Sequence, residues 1–141
     1  MSKLLQRLGD AAKSGVYRSS RGDEILDAAR GGPLRVVRIG LAGAGDKDAL
    51  LARLAQALQF PAWFGGNWDA LEDCLCDLSW IAAGGYVLLF EDAAQLPLVE
   101  RGTLVDVLAS AAASWAERGR PFFAVFLDGE PGLPSLYNDR R

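Results

Sequence analysis

Apolar residues recur along this chain with two different periods, and each period marks an element. Leu50, Leu51, Leu54 and Leu58 fall on one face of a helix that Asp46 can cap and that ends before Pro61. Trp68, Leu71, Cys74, Leu75 and Leu78 do the same for a second helix, with Asn67 in the capping position. Leu104, Leu108, Ala112 and Trp115 mark a third from Thr103 onward, stopped by Gly119 and Pro121. Between the helices lie short runs of another kind. LRVVRIGL over residues 34–41, bounded by Gly32-Pro33 and Gly43, reads as a strand. GYVLLFED over 85–92 is continuously apolar, as expected of a central strand covered on both faces, and PFFAVFL over 121–127 reads as the last strand.

Strands separated by helical crossovers pair in parallel. The expected fold class is therefore a small α/β structure, a three-stranded parallel sheet packed with helices. Residues 1–33 mix Leu4, Leu5 and Leu8 with scattered glycines and a short helical pattern over Glu24–Arg30, and read as an N-terminal helical extension. Residues 34–128 form the main domain. Residues 129–141, with Gly129, Pro131, Gly132 and Pro134, read as a tail.

Composition agrees with one globular unit. The chain has 141 residues, 50% of them hydrophobic and 23% charged, enough for a single core. Its longest apolar run, Phe122–Leu127, is far short of the about 20 residues of a membrane helix. The N-terminus carries charges throughout and has no apolar signal region, so the expected location is cytoplasmic, with no membrane partner. Cys74 and Cys76, two positions apart on a helix, point to different sides and read as structural thiols.

The net charge of −3 hides a strong asymmetry. Residues 1–53 hold ten Lys and Arg against six Asp and Glu, whereas 54–100 hold seven acids and no cation. An anionic stretch of that length repels phosphate backbones, which excludes direct nucleic-acid binding there and favours a basic partner. Most of that charge sits on the second helix. Asp69, Asp73 and Asp77 stand at successive four-residue steps with Glu72 beside them, and like charges so spaced oppose each other by about 0.2–0.5 kcal/mol per pair. A helix dipole explains Asp69 but not Asp77. The preceding loop, FPAWFGGNW over 60–68, carries four aromatic residues, which must be tucked under or must bind something.

FPAWFGGNWDALEDCLCDLSW, residues 60–80, resembles the signature of the barstar family, small cytoplasmic inhibitors of bacterial ribonucleases. The match runs through Trp63, Phe64, Gly65, Asn67, Asp69, Ala70, Leu71, Asp73, Cys74 and Leu75. The order of elements over 34–128 agrees with that family's fold. The resemblance implies an inhibitor, not an enzyme, that plugs the cationic cleft of a secreted or toxin ribonuclease, as an immunity protein does. Asp73 would be the main phosphate mimic and Asp69 its helper, with Trp63, Gly65 and Asn67 on the loop side and Glu72, Cys76 and Asp77 completing the contact. Gly66, Glu72, Cys76 and Asp77 depart from the best-known member, which implies a different cognate nuclease. The family also uses an acid on the later helix. Asp106 lies near that place, but Thr103-x-x-Asp106 reads equally well as a capping box, so Asp106 stays outside the site.

Other chemistries fare worse. GLAGAGDK over 40–47 begins like a phosphate loop but has Asp46 where lysine belongs. With two cysteines and no histidine there is no zinc set and no base to activate a thiol, and no cofactor is called for. Asp69 and Asp73 face the same way and cannot flank a scissile bond as an acid and base pair. An acidic adaptor that binds a basic protein without inhibiting it shares every surface feature with the inhibitor and stays open as the alternative.

Overall fold

A computed structural model describes residues 3–127 and 132–136 of the chain. Among them are strands β1 (Gly15–Arg18), β2 (Leu34–Gly40), β3 (Gly85–Glu91) and β4 (Phe122–Phe126). The helices are α1 (Lys3–Leu8), α2 (Gly22–Ala29), α3 (Lys47–Leu58), α4 (Trp68–Asp77) and α5 (Leu98–Glu117). The strands form one sheet in the order β1-β4-β3-β2, with every neighbouring pair parallel. Each parallel step needs a crossover, supplied by α2 between β1 and β2, by α3 and α4 between β2 and β3, and by α5 between β3 and β4.

The pleat divides the core in two. Tyr86, Leu88 and Phe90 of β3 and Phe122, Ala124 and Phe126 of β4 point to one face, where Leu54 of α3, Leu71 and Leu75 of α4, and Leu104, Leu108 and Trp115 of α5 cover them. Val87, Leu89, Phe123 and Val125 point to the other, where Leu4 and Leu8 of α1 and Ile25 of α2 cover them. β3 and β4 are thus the two inner strands, which is why both read as unbroken apolar runs. Gly85 lets β3 enter between its neighbours: a Cβ there would stand 2.5 Å from Pro121 Cγ and 2.8 Å from Leu34 Cδ2.

Three features depart from the expectation. The sheet has four strands, not three. The extra strand is β1, in the segment read as helical, and its four residues are held by register with β4, Val16 opposite Ala124 and Tyr17 opposite Val125. So short a run carries no periodicity of its own, and only its neighbour makes it a strand. Second, α5 starts at Leu98, after Pro97, and Thr103 is no cap. It lies inside the helix with its hydroxyl donating to Val99 O at 3.1 Å. Third, residues 132–136 run along β1, with Arg18 N donating to Pro134 O at 2.8 Å, Leu136 N donating to Arg18 O at 2.9 Å, and the Leu136 side chain fully buried. Residues 128–131 and 137–141 lie outside the described residues.

Candidate functional site

The site is built on α4, and α4 is fixed at both ends by side chains. Asn67 Oδ1 accepts from Ala70 N at 2.7 Å, satisfying one of the free amides of the first turn. At the other end Leu78 turns left-handed, and Arg118 of the α5 terminus reaches across to donate to Cys76 O at 2.7 Å. The same guanidinium lies 3.8 Å from the Trp115 ring centroid and donates to Ser114 Oγ at 3.1 Å. A cation at a helix C-terminus complements the dipole. Arg118 is therefore a neighbour of the acidic helix that its sequence position conceals.

Leu71, Cys74, Leu75 and Leu78 are fully buried against the core, and Trp115 Nε1 donates to Leu75 O at 2.7 Å. This rotation turns Asp69, Asp73 and Asp77 outward, all three exposed along about 12 Å of helix. None makes a hydrogen bond or ion pair among the described residues. Elsewhere acids and arginines do pair, as in Arg21–Glu24, Arg30–Asp27 and Arg38–Glu91. Glu72 and Cys76 are half-buried and turn toward α5. Ser110 Oγ donates to Glu72 Oε2 at 3.0 Å. Burial pushes the Cys76 thiol up, against the pull of the Ser114 hydroxyl and the Arg118 guanidinium. Burial, helped by the Asp77 and Asp73 carboxylates, pushes the Cys74 thiol up from 9.0 to about 11. Both cysteines are free and neither is an activated nucleophile.

The aromatic loop is tucked under except at one residue. Phe60 and Phe64 meet edge to face at 4.9 Å and, with Trp68, pack on the core. Trp80, whose indole donates to Leu58 O at 2.9 Å, contacts Phe60 at 6.0 Å and Trp63 at 6.3 Å. Trp63 itself is 58% exposed, propped on Trp80. Gly66 takes φ +73°, a turn that aims the chain into α4, and Gly65, Gly66 and Asn67 stand exposed beside it. The structure thus brings Trp63, Gly65, Asn67, Asp69, Asp73 and Asp77 out on one loop and helix, with Glu72 and Cys76 on the α5 side.

Asp106 lies on the neighbouring helix. It is exposed on α5, one turn before Ser110, which touches Glu72. With α5 starting at Leu98, the capping role that set it apart is gone. The phosphate-loop candidate is occupied by its own acid: Asp46 Oδ1 accepts from Ala49 N at 2.8 Å, where a phosphate would have to bind.

The family model for Barstar, described as barstar (barnase inhibitor), matches residues 34–127. The chain belongs to the barstar family. The matched region contains α4, the aromatic loop and α5, so every candidate site residue of this barstar-family chain lies inside it. A role of the barnase-inhibitor type, in a family of inhibitors and not of catalysts, follows at the level of the family. No curated protein matches the chain. Among solved structures, the Aeropyrum pernix ORC2 protein, in ADPNP–ADP complexes, is 15% identical at a TM-score of 0.49. The alignment spans 88% of this chain but only 37% of that one, a likeness that carries no argument about function. Among the described residues no helix is long and apolar enough to cross a membrane.

Proposed function

We propose that this barstar-family protein inhibits a basic ribonuclease by seating α4 and its aromatic loop in the cationic, phosphate-binding cleft of the enzyme. Asp73 takes the place of a substrate phosphate and accepts paired hydrogen bonds from arginine, with Asp69 assisting one turn earlier. Trp63, Gly65 and Asn67 form the loop side of the contact. Glu72, Cys76 and Asp77 extend it along the helix, and Asp106 continues the acidic rim onto α5. The residues of the contact lie within 34–127, and residues 3–33 complete the sheet and the core on which they are built. The biological role we infer is immunity, in the cytoplasm, against a secreted or toxin nuclease.

One observation supports this most directly: three exposed carboxylates stand in a row with no ion-pair partner among the described residues, in a chain of a barnase-inhibitor family. A basic cleft removes the mutual repulsion that the free protein bears. The test is RNA cleavage by a barnase-type ribonuclease titrated with this protein. Wild type is expected to inhibit stoichiometrically. Asp73→Ala, verified as folded by circular dichroism, is expected to bind ten- to a hundredfold more weakly, the loss of about 1.5–3 kcal/mol from a charged hydrogen bond. Glu100→Ala, in the first turn of α5 and off the acidic row, is the control and should cost far less. Equal losses would show that α4 is not the contact, and binding without inhibition would identify an acidic adaptor.

A further inference from the structure

The basic half of the chain has a cavity of its own. Among the described residues, α1, the 3-10 turn Ala11–Lys13 and residues 132–136 border an open cleft of about 480 Å³ that Lys3, Arg7 and Lys13 line. Among the described residues, the three cations share this surface with one acid, Asp10. That carboxylate is committed to the local backbone, since Oδ1 accepts from Ala12 N at 3.0 Å as the cap of the turn.

None of the three cations has an ion-pair partner among the described residues, although three other arginines of the same half do. Arg7 is also held in place. Its guanidinium carbon lies 5.4 Å from the centroid of the Tyr17 ring, and its Nε is out of contact with water and without a hydrogen-bond partner. The Tyr17 hydroxyl in turn donates to Lys13 O, tying the turn that carries Lys13 to β1. A fixed guanidinium with two lysines lining the same cleft is suited to a compact, multiply charged oxyanion, and Gln6 and Ser135 add neutral polar groups to the lining. The cleft is large enough for a small ligand and not only for an ion.

We propose that this cleft is an anion site for a phosphate-bearing ligand of nucleotide size, separate from α4 and independent of the inhibitor function. The phosphate sits among Arg7, Lys13 and Lys3, and the remainder of the ligand lies along Gln6 and Ser135.

Isothermal titration of the full chain with AMP, and separately with inorganic phosphate, tests it. Saturable one-to-one binding of AMP is expected, with phosphate binding more weakly at the same site. Arg7→Gln and Lys13→Gln should each weaken AMP by about tenfold, the scale of one charge-assisted hydrogen bond. Lys13 is exposed and its replacement leaves the fold intact, so a failure of Arg7→Gln to fold does not decide the matter. Arg35→Gln, the same charge change on the exposed face of β2, should leave binding unaltered. No saturable binding of either probe at about 10 mM would overturn the site, as would equal weakening by Arg35→Gln and Lys13→Gln. Neither result bears on inhibition of a nuclease.

Discussion

Asn67 does two jobs that can be separated. Its side chain caps α4 through Ala70 N, and its position at the tip of the loop places it in the candidate contact. Replacing a capping Asn with Ala costs about 1 kcal/mol, because an amide of the first turn loses its acceptor. Asn67→Ala is therefore expected to lower the unfolding free energy by that amount in urea titration, whereas Asn67→Ser, which restores an acceptor, should recover most of it. If Asn67→Ser recovers stability but not affinity for a nuclease, the amide itself touches the partner. The cap, Gly66 and the spacing of the three aspartates are all local and were legible in the sequence. The roles of Trp80 and Arg118 were not, because each acts on a residue more than 20 positions away, Leu58 and Cys76 respectively.

At the scale of elements, the N-terminal segment is a structural layer. α1 and α2 cover Val87, Leu89, Phe123 and Val125, and β1 extends the sheet beyond β4. Without that layer four large apolar side chains of the inner strands would face water. Ile25, fully buried at the centre of α2, is the test position. Ile25→Ala should cost about 2–5 kcal/mol in chemical denaturation while retaining a single cooperative transition. A loss below about 1 kcal/mol would mean that α2 is only loosely docked. The periodicity of α3 and α4 was plain in the sequence, and Asp46 and Asn67 cap them as their positions predict. The start of α5 was not, because Leu98 and Val99 lie exposed on its first turn and do not extend the apolar face that begins at Leu104.

Over the whole molecule the charge is divided. Three of the ten cations of the first 53 residues line the cleft at α1 and its turn, whereas four of the seven acids of residues 54–100 stand on α4. An acidic face of this kind accelerates encounter with a basic partner, and salt screens it with a Debye length of about 10 Å at 0.1 M. The association rate with a cognate ribonuclease, followed by stopped-flow fluorescence of the exposed Trp63, should fall steeply with added salt while dissociation changes little. An association rate insensitive to salt would show that the acidic row does not steer the encounter.

The sequence by itself determined what depends on neighbours along the chain. The apolar runs of β3 and β4, the helical faces of α3 and α4, their caps and the barstar-like stretch 60–80 all rest on short spacings, and the spacings are sufficient to specify them. What only the tertiary structure decided depends on distant contacts. β1 is a strand because β4 pairs with it, Ser110 meets Glu72 because α5 lies beside α4, and Lys3, Arg7 and Lys13 line one cleft because α1 lies near residues 132–136. In each case the side chains are separated in sequence, and it is burial of the sheet's two faces that brings them together.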